Sequence, residues 1–110
     1  PQWVQVDLGK TQDISKLAVG FEKELNDFKY QVNLYADDGV TVIGTIDQNA
    51  DVQKPKRNIF DQEFKGVRYI RVIINGVLSG SQAWPAVAEI EAYTKNILFY
   101  YIRSLKLIYH

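Results

Sequence analysis

Apolar and polar residues alternate along most of this chain. Val4, Val6 and Leu8 interleave with Trp3, Gln5 and Asp7, and Gly9 is expected to end the run. That period of two belongs to a half-buried β-strand. Leu17, Val19 and Phe21 repeat it, and the charged stretch 22–27 then reads as a loop. The clearest strand follows: Phe28, Tyr30, Val32, Leu34 and Ala36 point one way, and Lys29, Gln31 and Asn33 the other. Asp37-Asp38-Gly39 has turn chemistry, because Gly accepts positive φ and Asp tolerates it, so residues 40–46 are read as the partner strand of a hairpin. Polar residues 47–58 form the longest candidate loop, 59–64 a weak strand and 67–74 a strong one. Asn75-Gly76 and Ser79-Gly80-Ser81 mark another loop. Trp84, Ala86, Ala88, Ile90 and Ala92 then line one face of a last strand, with Glu89 and Glu91 on the other.

Short strands separated by turn signals, with no strand–helix alternation, predict an all-β antiparallel sandwich. The module is expected over 1–93. Residues 94–110 form a tail with a different rhythm: Ile97, Leu98, Tyr101, Ile102, Leu105, Ile108 and Tyr109 recur at helical spacing. A possible C-terminal helix or an added strand would pack on the sandwich. A helix for a membrane surface or a partner, or an extension foreign to the fold, are the other readings.

Composition narrows the function. The 13 basic and 13 acidic residues balance, which argues against a nucleic-acid partner and removes steering toward anionic membranes. There is no Cys, and the one His is His110, so thiolate and imidazole chemistry have almost no residues to use. No nucleophile elbow or phosphate loop is present. The paired carboxylates Asp37-Asp38 sit in a turn, and Glu89 and Glu91 share a strand face with no evident cleft. Catalytic residues are therefore expected to be none. The start at Pro1 is read as a cut from a longer polypeptide.

Several segments together resemble the discoidin, or F5/8 type C, domains and the related bacterial family 32 carbohydrate-binding modules. Trp3-Val4-Gln5-Val6-Asp7-Leu8-Gly9 is similar to the family's W-x-x-V-D-L-G strand. Residues 30–39 resemble its Y-x-V-x-x-S-x-D-G hairpin, with Ala36 where Ser is common. Val67-Arg68-Tyr69-Ile70-Arg71-Val72 is similar to A-R-Y-I-R-V, and Ala88-Glu89-Ile90-Glu91 to A-E-I-E. The resemblance implies a jelly-roll β-sandwich, galactose-binding-domain-like and possibly lacking its N-terminal strand. It also implies ligand binding in loops at one end. The expected partner is carbohydrate, a terminal galactose- or N-acetylhexosamine-type sugar. The expected setting is a non-catalytic accessory module beside the catalytic domains of a bacterial glycoside hydrolase, extracellular, periplasmic or on the cell surface. Alternatives are a protein-interaction domain without a sugar site and a phospholipid-binding module, for which only Val77 and Leu78 offer apolar loop residues.

Sugar recognition needs an aromatic ring over the C–H face and fixed polar groups for the hydroxyls. Trp84, after the 77–82 loop, is the candidate ring; packing in the core is its other reading. Arg57 and Asn58 of the long loop are carried over as hydroxyl contacts, against a solvated basic loop. Glu22 and Asn26 are candidates for the same rim, against a solvated turn. In many relatives a Glu of the closing strand and a nearby carbonyl help hold a structural calcium. Glu89 and the Ala88 carbonyl would supply half of that site here. Arg68 and Arg71 are expected to pair with carboxylates across the sheet, and Asp7 to fix the turn at Gly9.

Overall fold

A computed structural model describes residues 2–80, 87–95, 97–103 and 108–109, with side chains left out at 23–26, 99–103 and 108–109. The strands are β1 (Gln2–Ile14), β2 (Lys16–Asn26), β3 (Phe28–Tyr35), β4 (Val42–Gln48), β5 (Lys54–Phe60), β6 (Phe64–Val77), β7 (Val87–Thr94), β8 (Ile97–Arg103) and β9 (Ile108–Tyr109). They form two antiparallel sheets, β4-β3-β6-β1-β9 and β5-β2-β7-β8: the sandwich expected from the alternation, and the jelly roll implied by the resemblance.

The alternating residues explain the layers. Val4 and Val6 of β1, Tyr30, Val32 and Leu34 of β3, and Ile70, Val72 and Ile74 of β6 face inward from the first sheet. Leu17, Val19 and Phe21 of β2, with Val87, Ile90 and Ala92 of β7, face them from the second. Neighbouring strands must show the same face, so the register follows: Val4 lies opposite Val72, and Val72 opposite Val32.

Several strand limits differ from those read in the sequence. β1 does not stop at Gly9. Gly9 takes φ 84°, the ladder shifts register between Asp7 and Gln12, and the strand resumes to Ile14. This is a bulge, which a positive-φ glycine accommodates without Cβ strain. Residues 22–26 are not a loop but the end of β2, where Leu25 and Asn26 pair with Pro55 and Lys54. The long polar loop shrinks to 49–53, because β5 begins at Lys54, and the weak strand at 59–64 is really the end of β5, a break and the start of β6. Charged residues enter these strands because one face of each is solvated.

β7 also departs from simple alternation. Gly20 pairs with Glu89 while Phe21 pairs with Val87, so Ala88 is the extra residue of a bulge. Val87, not Ala88, therefore enters the core. The helical reading of the tail is overturned at 97–103, where β8 pairs with β7 from Ile97–Thr94 to Arg103–Glu89. The physical reason is tertiary. An open sheet edge offers partners for every second backbone group, and aromatic and β-branched residues suit a strand.

Candidate functional site

One end of the sandwich gathers the connections β2–β3, β4–β5 and β6–β7. The β2–β3 connection is only Asp27. Its carbonyl accepts the Leu78 N–H at 2.8 Å, and its carboxylate accepts Gln53 Nε2 at 2.9 Å. Asp51 in the β4–β5 loop accepts the Ser79 N–H and hydroxyl, both at 3.3 Å, and pairs with Lys29 Nζ at 3.4 Å. These contacts hold the Asp51 carboxyl below the usual carboxylate range, the Ser79 amide being the largest cause. Asn75 Nδ2 donates to Asn49 at 2.7 Å and to Gln31 at 3.1 Å.

Lys54 anchors this rim from beneath. It is 5% exposed, and its ammonium donates to the carbonyls of Phe28, Ala50 and Val52 at 2.8, 3.0 and 2.9 Å. Burial pulls its pKa down, and the Asp51 charge opposes that shift. A cation bonded to two loop carbonyls and one at the start of β3 fixes the loop much as a small bound ion would. The resulting end is a rigid rim of amides, carboxylates and hydroxyls, suited to hydrogen-bonding a polyhydroxylated ligand rather than to acid–base chemistry.

The candidates from the sequence fall in different places. Trp84 lies outside the described residues. Asn26 is at the rim by its backbone, paired with Lys54; its side chain is outside the described set. Glu22 is exposed on β2. Arg57 and Asn58 are not in a loop but on β5, with opposite environments. Arg57 lies on the outer face of the four-stranded sheet, ion-paired with Glu91, which raises its pKa. Asn58 is buried, and its amide donates to the Pro55 carbonyl at 3.1 Å. Adjacent strand residues point to opposite faces, so the two side chains lie on different faces of the sheet.

The arginines of β6 differ as well. Arg68 binds Asp7 at 2.9 Å and Asp37 at 2.8 Å, the carboxylate pairing expected. Among the described residues Arg71 pairs with no carboxylate. It donates to Gln5 at 2.8 Å and lies between the Trp3 and Tyr35 rings, 4.3 and 4.9 Å from their centroids. Asp7 does fix its turn, accepting the Gly9 N–H at 2.8 Å.

Calcium needs six to eight oxygen ligands. Glu89 lies across Gly20, whose added Cβ would fall 2.5 Å from the Glu89 Cγ. Among the described residues no group of three or more His, Cys, Asp or Glu is close enough to hold a metal.

Asp27, Lys29, Asn49, Asp51, Asn75 and Ser79 were not singled out by the sequence. Turn chemistry marks Asn75 and Ser79, but no spacing links residues 27, 51 and 79.

The F5/8 type C domain profile matches residues 1–90. A search of curated proteins gives no significant match. Among solved structures, the chain is similar to CpGH89CBM32-4 produced by Clostridium perfringens, at 26% identity and TM-score 0.71, over 84% of this chain and 69% of that one. A second structure of that module, in complex with GlcNAc-alpha-1,4-galactose, matches at 26% identity and TM-score 0.65, over 82% of this chain and 64% of that one. The profile covers most of the chain, and the chain belongs to the F5/8 type C, or discoidin, domain family.

Proposed function

We propose that this chain is a non-catalytic carbohydrate-binding module that takes a terminal galactose- or N-acetylhexosamine-type sugar at its loop end. In this reading it holds the catalytic domain of a bacterial, secreted or surface-bound glycan-degrading enzyme near its substrate. The observation that carries the reading is the similarity to CpGH89CBM32-4, one of whose structures is a complex with GlcNAc-alpha-1,4-galactose. The polar rim supports it, since the loops are already fixed by Lys54, Asp27 and Asp51 and lose little entropy on binding. Tethering would raise the effective concentration of enzyme at the glycan even where the sugar is held weakly.

The test is a titration of the folded protein with galactose, N-acetylglucosamine and GlcNAc-alpha-1,4-galactose, followed by amide chemical shifts and Trp fluorescence. Saturable shifts at Asp27, Asp51 and Ser79, lost in Trp84→Ala, are expected. A folded sample that responds to none of the three sugars would refute the reading in favour of a protein-interaction domain.

A further inference from the structure

The five-stranded sheet turns one face to the core and the other outward. Val4 and Val6, Val32 and Leu34, and Ile70 and Val72 point inward, so the residues between them share the outer face. Near its centre, Arg71 of β6 stands in register with Gln5 of β1 on one side and Asn33 of β3 on the other. The Arg71 guanidinium is held in place. Its Nε–H donates to Gln5 Oε1 at 2.8 Å, and the Trp3 and Tyr35 rings lie 4.3 and 4.9 Å from its Cζ. Tyr35 is buried and its hydroxyl accepts the Asn33 amide at 3.1 Å, so that ring is itself fixed. An arginine braced by two rings keeps its plane and loses little freedom when a ligand binds.

Its two terminal nitrogens are not used. Neither Nη1 nor Nη2 has an acceptor among the described residues, and neither is a buried atom. Four of the five N–H donors of the guanidinium are therefore left over. The neighbouring carboxylates are engaged elsewhere: Asp7 and Asp37 bind Arg68, and Asp47 binds Asn49. A positioned cation thus reaches solvent without an opposite charge on it. Fixed amides join this point to the loop rim. Asn33 Oδ1 accepts Gln31 Nε2 at 3.0 Å, Gln31 Oε1 accepts Asn75 Nδ2 at 3.1 Å, and Asn75 also bonds Asn49 of the rim. Arg71 and Asn75 lie four residues apart on β6, about 13 Å at the rise of a strand.

We propose that Arg71 is a subsite for the carboxylate of an acidic sugar, a uronic acid in the same glycan whose terminal residue the rim takes. The planar fork matches a carboxylate through two parallel hydrogen bonds. Half-buried Trp3 beside it supplies aromatic surface for sugar C–H groups, and the amide row supplies partners for hydroxyls. The amide row favours a hydroxyl-rich ligand over an acidic peptide. The proposal rests on the carbohydrate reading and extends it from the rim onto the sheet face.

Backbone amide, Trp indole and Arg Nε–H shifts of the labelled protein test it, in titrations with tri-galacturonic acid, its neutral methyl ester and galactose. Saturable shifts at the Arg71 Nε–H and the Trp3 indole are expected with the acid and not with the ester or galactose. Shifts at Asp27, Asp51 and Ser79 are expected with all three. Arg71→Lys keeps the charge but loses the fork; it should weaken the acid about tenfold and leave galactose within about twofold. Arg71→Gln should bring the acid to the affinity of its ester. Raising NaCl from ~0.1 to ~1 M should weaken the acid and spare galactose in the unaltered protein, a readout that needs no variant to fold. An Arg71 Nε–H that ignores the acid, or answers the ester equally, would show a guanidinium that only braces Trp3; that would overturn the subsite and leave the rim standing. Tighter binding of tri-glutamate than of the acid would overturn it in favour of a protein partner. Silence at the rim with all three sugars would overturn the carbohydrate reading and the subsite with it.

Discussion

Lys54 and Tyr30 show how single buried polar groups act in opposite directions. The Lys54 ammonium meets three carbonyls, so its removal strands three acceptors at once. Lys54→Met should destabilise the fold by about 2–4 kcal/mol, read as a lower urea midpoint at unchanged slope. An unchanged midpoint would show that the loop does not depend on it. Tyr30 is fully buried against Phe21, and its hydroxyl meets no partner among the described residues. Burial alone pushes its pKa up. Tyr30→Phe removes an uncompensated dipole and should raise stability by about 0.5–1.5 kcal/mol. A drop in melting temperature would contradict that. Neither role was legible in the sequence, where Tyr30 is one more inward aromatic and Lys54 one of several basic loop residues.

At the scale of elements, close approach and position in the sheet set the consequences. β4 is an edge strand, and a Cβ at Gly44 would fall 2.4 Å from the Phe64 ring, which packs on the core. Gly44→Ala should cost about 1–3 kcal/mol, and Phe64→Leu in the same chain should recover part of it. Equal losses that simply add would mean the two do not touch. β6 lies between β3 and β1 and carries buried Val67, Ile70, Val72 and Ile74. Its amides should exchange with solvent most slowly, as expected of a central strand buried on one face. Faster exchange in β6 than in edge strand β4 would contradict this order. The middle of β6 was readable because it is rich in branched aliphatics and alternates from Ile70 to Ile74. β7 was read less well, since the bulge at Ala88 arises from pairing with β2 and not from its own residues.

The whole molecule links these scales through its charge network. Asp7, Asp38 and Asp51 all have lowered pKa values: Asp7 through Arg68, Asp38 through Thr41, Asp51 through Ser79. A carboxyl whose folded pKa lies below its unfolded value contributes stability that is complete above the unfolded value and lost as pH falls through the folded one. Stability should therefore decline as pH drops below about 3.8, the unperturbed value for these groups. Asp7→Asn should flatten part of that acid limb in a melting-temperature profile, and an unchanged profile would show that the Arg68 contact is screened by solvent.

Reading along the chain was enough for the fold class, the inward residues of β1 and β3, the turn at Asp38-Gly39 and the family segments. All of these are local: alternation, turn preference and short motifs depend on neighbours along the chain. Strand pairing in three dimensions is what adds a strand at 97–103, turns Arg57 and Asn58 to opposite faces, and brings Asp27, Asp51 and Ser79 to one rim. These follow from which strands pair and where bulges shift the register, and that choice is made by burying two sheet faces together, with partners far apart in the chain.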